Sequence, residues 1–389
     1  MASPKAMILF LLLLACGCAT AQLFPRPPWN FTFPTGPGDA AAGGTGGGVG
    51  GPSVPAMFVF GDSLTDNGNN NDLTSLAKAN YLPYGIDFAG GPTGRFSNGY
   101  TMVDAIAELL GLPLLPSNNE VSSADGNDGA LHGVNYASAA AGILDNTGQN
   151  FVGRIPFNEQ IKNFQGTLDK IKGRLGASKL SGSLGRSIFY VGMGSNDYLN
   201  NYLMPNYNTR NEYNGDQYST LLVQHYTKQL TSLYNLGARR FVIAGVGSMA
   251  CIPNMRARNP RNMCSPDVDD LIVPFNSKVK GMVNTLNVNL PRARFIYVDT
   301  FEMISEVLRN PLNYGFSVVD RGCCGIGRNR GVITCLPFLR PCPNRSTYIF
   351  WDAFHPTERV NVLLGKAAYS GGTDLAYPMN IQQLAAWQP

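Results

Sequence analysis

The chain has 389 residues, 44% of them apolar, a formal net charge of +4 and only three histidines. That length supports one large domain or two small ones, and so small a charge without sustained Lys/Arg runs calls for no nucleic-acid partner. With neither H-E-x-x-H nor C-x-x-C present, nothing points to a zinc centre.

At the N-terminus Lys5 precedes the apolar run 7–14, and Ala19-Thr20-Ala21 has the small-x-small form of a signal-peptidase site. The run is too short for a bilayer core of about 30 Å, which takes about 20 residues. Residues 1–21 therefore read as a secretory signal peptide, with maturation near Gln22. No later stretch reads as a transmembrane helix. The expected destination is the cell exterior or wall, with the endoplasmic reticulum lumen as the alternative. Residues 22–53 contain GGTGGGVGG and read as a Pro/Gly/Ala-rich flexible leader, with the catalytic domain expected over 54–389. Asn30 and Asn344 each open an N-x-[ST] sequon.

The first strand is MFVF (57–60), which breaks into Gly61-Asp62-Ser63 and then an asparagine-rich stretch. A helix is predicted over 100–110, a small-residue loop NYASAAAGI over 135–143, and a helix over 161–174. SIFYVG (187–192) is a second strand and runs straight into Met193-Gly194-Ser195-Asn196-Asp197. The clearest helix is 218–236, with apolar positions at helical spacing and Gly237 placed as a C-terminal cap. RRFVIAGV (239–246) and RFIYVDT (294–300) are further strands. The helix between them is predicted to begin at Pro274, where a missing N–H is no loss. Strands alternating with helices imply a mostly parallel sheet covered on both faces, and nearly all-apolar strands suit one. In such sheets ligands bind beyond the carboxyl ends of the strands. Two strands here end in loops of small polar residues, which can converge on one crevice.

Six cysteines follow the signal: Cys251, Cys264, Cys323, Cys324, Cys335 and Cys342. An even number in an exported chain implies disulfides, whose pairing spacing alone does not give. Adjacent Cys323 and Cys324 cannot easily bond each other, and each is expected to reach a separate loop.

Gly-Asp-Ser by itself has two readings, a turn or a nucleophile at a strand end. Chance alone would place it in about one chain of this length in ten. A serine nucleophile needs a base, usually a histidine oriented by a carboxylate. His225 lies within the predicted helix 218–236, and His132 sits in a Gly/Asn/Asp-rich loop near only Asp128. His355 stands in FWDAFHPTE (350–358), three residues after Asp352 and directly before Pro356. One turn brings that carboxylate to Nδ1 and leaves Nε2 facing outward, while Pro356 restricts His355 to extended geometry. The competing reading is a helix-capping Asp352 with an incidental histidine. Asn196 and Gly142 are candidate donors to an oxyanion. A turn at Gly194–Asp197 and a tightly packed backbone at 135–143 would use the same residues.

Five blocks in order carry a family resemblance: FVFGDSLTDNGNNN (58–71), GRFSNGYTMVDAIAELLGL (94–112), NYASAAAGILD (135–145), YVGMGSNDYLNNY (190–202) and FWDAFHPTE (350–358). Across about residues 55–385 the chain resembles a plant-type GDSL esterase/lipase of the SGNH hydrolase superfamily. The resemblance implies a three-layer α/β/α sandwich with a central, mostly parallel sheet, flavodoxin-like in layout. The lack of a G-x-S-x-G elbow sets it apart from ordinary α/β-hydrolases. It also implies Ser63 as nucleophile, Asp352 and His355 as the rest of a triad, and an oxyanion hole of Ser63 N–H, Gly142 and Asn196. Two segments depart from the pattern: the family has glycine where Ala139 or Ala140 stands, and SMACIP replaces a PLGCIP-like run. Asp66-Asn67-Gly68-Asn69 reads as a turn and takes no catalytic role.

The implied activity is hydrolysis of carboxylic esters through a Ser63 acyl-enzyme, with no cofactor or metal. Lipid or fatty-acyl esters are the favoured substrates. A cell-wall polysaccharide O-acetyl esterase or an acyltransferase would use the same serine. A non-catalytic secreted binding protein is the reading from another class, and the intact triad positions speak against it.

Overall fold

The four apolar runs read as strands are the four parallel strands of one sheet, each five residues long. The computed structural model describes residues 53–123 and 128–388; the signal, the leader up to residue 52 and Asn30 lie outside them. Strands β1 (Met57–Gly61), β2 (Ile188–Gly192), β3 (Arg240–Ala244) and β4 (Arg294–Val298) lie side by side in that order. Strands β5 (Val318–Gly322) and β6 (Tyr348–Phe350) form a separate parallel pair, and β7 (Ala376–Tyr377) closes the main sheet antiparallel to β4.

In-register pairing places Phe58, Phe189, Phe241 and Phe295 in one row across the sheet, with neighbouring rings 5.1, 5.7 and 4.1 Å apart. Because side chains alternate along a strand, this row faces one layer only. The helices include α1 (Met102–Leu109), α2 (Phe157–Leu175), α3 (Gly215–Asn235), α4 (Pro266–Asn289), α5 (Thr300–Arg309), α6 (Glu358–Ser370) and α7 (Ile381–Ala386). Phe164 of α2 packs on Phe58 and Phe189 at 5.1 and 5.6 Å, and α3 and α4 extend that layer. On the other face Tyr190 meets Met102 of α1, and Arg240 donates to Ala385 O of α7. Helix α6 packs against both α1 and α7 and completes the three-layer α/β/α sandwich.

Local signals set the helix starts. Thr101 with Asp104 and Asn214 with Gln217 form reciprocal capping boxes that open α1 and α3. The expected start at Pro274 is corrected: α4 begins eight residues earlier, with Pro266 in its first turn, and Pro274 sits inside it. The buried face from Val268 through Ile272, Phe275 and Val279 continues across Pro274, and this packing carries the helix past one missing hydrogen bond.

The segment 134–138, expected as a loop, runs parallel to β1. Val59 N–H donates to Val134 O, Tyr136 N–H to Val59 O and Ser138 N–H to Gly61 O, at 3.0, 2.8 and 3.1 Å. In space the order is therefore this segment, β1, β2, β3, β4. Chain order reverses at β1, which places the ligand crevice of an open parallel sheet at its carboxyl end. Ser63 lies there.

The cysteines pair as Cys251–Cys264, Cys323–Cys342 and Cys324–Cys335. Separate loops for Cys323 and Cys324 are corrected: both partners lie on one segment, so the two bridges tie a single loop to the end of β5. Among the described residues no helix is long and apolar enough to cross a membrane.

Candidate active site

Strand β1 ends because the chain folds back at once. A Cβ on Gly61 would stand 2.2 Å from Thr65 Oγ1, so only glycine fits. Thr65 and Asp66 N–H both donate to Asp62 O, at 3.1 and 2.9 Å, and this tight turn presents Ser63 at its tip. Gly-Asp-Ser is thus a turn, and that turn sets its serine just beyond the strand end.

His355 Nε2 lies 2.8 Å from Ser63 Oγ, and its Nδ1 lies 2.9 Å from each oxygen of Asp352. Asp352 Oδ1 also accepts from the N–H groups of Phe354 and His355, at 2.9 and 2.8 Å. The three-residue spacing thus makes the turn its sequence suggests. Oδ2 accepts from Tyr84 Oη at 2.6 Å and Thr334 Oγ1 at 3.0 Å, two partners that sequence reasoning missed. They come from residues distant in sequence, and no local pattern marks them. Burial alone would push the Asp352 carboxyl up. The neighbouring imidazole and the Tyr84 and Phe354 donors outweigh it and hold the carboxyl below its usual range. Of the other histidines, His132 is exposed and His225 lies on α3, away from the pocket lining.

The seat of Asp352 is braced covalently. Cys323 and Cys324 N–H donate to Phe350 O and Trp351 O, at 3.0 and 2.7 Å, and Tyr81 Oη donates to Cys335 O at 2.9 Å. Both buried disulfides pack with Tyr84 and Trp351 in one cluster.

Asn196 lines the pocket with Ser63 and His355. Its Nδ2 donates to Ala141 O at 2.9 Å and its Oδ1 accepts from Asn200 Nδ2 at 2.6 Å, which fixes the amide and leaves one N–H for a ligand. Gly142 does not line the pocket. A Cβ there would meet Thr147 Cγ2 at 2.5 Å and Asp197 Oδ1 at 2.7 Å, so this glycine serves close packing. Ala140 lines the pocket instead, at φ 66°, a backbone region that favours glycine. Among the described residues, neither Ser63 N–H nor Ala140 N–H has an acceptor.

The pocket, about 200 Å³, runs from Ser63 over the carboxyl ends of the strands. The last register row is Gly61, Gly192, Ala244 and Val298, and of these the small Gly192 and Ala244 line the pocket. Met102, Tyr190, Met249, Ile252, Ile304 and Leu364 close that space, all of them buried.

Three carboxyls surround the site: Asp62, Asp66 and Asp197, each pushed up to about 6 by burial, against the N–H groups that donate to them. Glu358, beyond the site, is raised by burial to about 7. Each folded pKa exceeds its unfolded value, so the folded chain binds more protons between pH 7 and 5, and acidification across that window favours folding. We expect Tm to be higher at pH 5 than at pH 7, by about 1 kcal/mol of stability for each of the three aspartates. Differential scanning calorimetry reads this directly, and a lower Tm at pH 5 would contradict it.

A serine, a histidine and a buried carboxylate at the switch point of a parallel α/β/α sheet define an ester-hydrolase type of protein. The sequence profile of the GDSL-like lipase/acylhydrolase family matches residues 57–368. The chain belongs to that family and is a carboxylic ester hydrolase. It is 61% identical over 334 residues to "GDSL esterase/lipase At1g71691" of Arabidopsis thaliana, covering 86% of each chain. It is 49% identical over 334 residues to "GDSL esterase/lipase At1g71250" of the same organism, covering 85% of this chain and 89% of that one. Among solved structures, that of a carbohydrate esterase aligns at a TM-score of 0.35 and 12% identity, over 82% of this chain and 67% of the other. That likeness is too remote to bear on substrate.

Proposed function

We propose that the protein is a secreted serine hydrolase that cleaves fatty-acyl esters through a Ser63 acyl-enzyme. His355 Nε2 takes the proton from Ser63 Oγ as the oxygen attacks the ester carbonyl, and Asp352 stabilises the imidazolium that forms. The developing oxyanion is met by the N–H groups of Ser63 and Ala140 and by Asn196 Nδ2. Ala140 takes the place that the sequence resemblance assigns to Gly142. Collapse of the tetrahedral intermediate passes the proton from His355 to the leaving alcohol, and water then releases the acid by the same route. Export is supported by the N-terminal signal sequence and the three disulfides.

The observation that carries the substrate reading is the buried apolar space beside Ser63. An acetyl group would leave it unfilled, whereas an alkyl chain would bury its methylenes there at about 0.8 kcal/mol each. The test is kcat/KM on p-nitrophenyl esters from acetate to palmitate. Rates are expected to rise with chain length to an optimum beyond butyrate, and Ala244→Leu is expected to shift the optimum to shorter chains. Acetate preferred over every longer acyl chain would favour the polysaccharide reading instead.

A further inference from the structure

The asparagine-rich stretch after Ser63 is a turn, as its sequence suggests: Asp66 Oδ1 accepts from Gly68 and Asn69 N–H at 2.8 and 2.9 Å. Yet Asp66, Asn69 and Asn70 are almost fully buried, at 0%, 0% and 2% exposure, which a surface turn does not require. Their side chains are spent on the backbone of 135–139. Asn69 Nδ2 donates to Asn135 O and Ala137 O, at 2.9 and 2.8 Å. Asp66 Oδ2 accepts from Ala139 N–H at 2.9 Å. Asn70 Nδ2 donates to Ala139 O at 3.1 Å and to Ala77 O at 3.0 Å, while Asn70 Oδ1 accepts from Ser138 Oγ at 2.5 Å.

A trans peptide unit is planar, with its C=O and N–H pointing in opposite directions. The bond from Asn70 to Ala139 O therefore fixes the plane that also contains Ala140 N–H, and turns that N–H away from Asn70. Asp66 fixes the preceding unit through Ala139 N–H, Ala141 N–H holds the following one by donating to Ser138 O at 3.1 Å, and Asn196 fixes the next through Ala141 O. Four successive peptide units are held, with Ala140 at φ 66° among them. The residue types are matched to this task. Position 70 must donate to two carbonyls and accept from a hydroxyl, which an amide does and a carboxylate does not. Position 66 must accept three N–H groups on its two oxygens, which a carboxylate does and an amide does not.

We infer that Asp66 and Asn70 are positioning residues for ester hydrolysis, forming a side-chain clamp that aims Ala140 N–H at the oxyanion. The inference rests on the Ser63 acyl-enzyme reading. Its test is Asn70→Ala, assayed with a p-nitrophenyl ester and with an alkyl boronic acid, which forms a tetrahedral adduct on serine. Loss of one oxyanion donor lowers kcat by about 10²–10³-fold. A misaimed donor is thus expected to lower kcat about 30- to 300-fold, with KM held within about twofold and boronate affinity reduced by a similar factor. A merely structural role would lower Tm without that split. Folded Asn70→Ala with wild-type kcat, or with its loss carried by KM and boronate affinity retained, would overturn the clamp. Should Asn70→Ala not fold, Ser138→Ala decides. That change removes the hydroxyl that orients the Asn70 amide, and several-fold losses of kcat and boronate affinity are expected, with unchanged values overturning the proposal. Ser63→Ala in the same assay separates the two ideas. Full activity there overturns the serine reading and the clamp with it, whereas full activity in Asn70→Ala beside an inactive Ser63→Ala overturns the clamp alone.

Discussion

Ser63→Ala is expected to lower kcat for p-nitrophenyl esters by about 10⁴-fold or more, and to move Tm by no more than about 1 °C. The asymmetry follows from where the hydroxyl sits. Ser63 is partly exposed at the tip of a turn held by backbone bonds to Asp62 O, so the fold does not depend on its Oγ. The proposed reaction does, because that oxygen lies 2.8 Å from His355 Nε2. Steady-state kinetics and a melting curve on one preparation measure both quantities. Rates equal to wild type would refute the serine mechanism, and a large fall in Tm would refute the account of the turn.

Replacing Cys324 and Cys335 together by serine is expected to lower stability by about 3 kcal/mol, the value for closing a loop of this length. Activity should fall with it. The bridge spans 11 residues and is buried beside Tyr84 and Trp351, in the cluster that seats Asp352. Cys324 N–H itself donates to Trp351 O, one residue before that carboxylate. Loosening this segment lets His355 lose its orientation, so kcat is expected to drop more than KM rises. The checks are thermal melting and kinetics, together with a thiol titration of the native wild-type protein. Six titratable thiols in the native wild type would refute the bridges. Wild-type kcat in a destabilised double variant would show that they serve stability alone.

Much of this site was legible in the sequence, because its chemistry is local. Asp352 and His355 are three residues apart, so one turn suffices to join them, and the scarcity of histidine left few candidates. The strands were legible because a sheet covered on both faces demands unbroken apolar runs. Other elements were not. The segment 134–138 carries asparagine, serine and small residues, and backbone bonds to Val59 and Gly61, with side chains of Asn69, Asn70 and Asp66 along 135–139, hold it beside β1. Pro274 reads as a start signal, and only the buried face on both sides of it reveals the longer helix.

Residue type and spacing by themselves pointed to Ser63, His355 and Asp352 as a candidate triad, to the four parallel strands, the first of which runs into Ser63, and to the family. Tertiary structure decided what holds those groups in place. It brought Tyr84 and Thr334 to Asp352, nested two disulfides behind it, and set Ala140 rather than Gly142 at the pocket. The physical reason is the range of each interaction. A turn and an alternating pattern are encoded within a few residues, whereas a buried polar atom finds its partner wherever packing brings the backbone near. Asp66 and Asn70 sit on that boundary: their sequence spells a turn, and only the fold shows which peptide units their side chains grip.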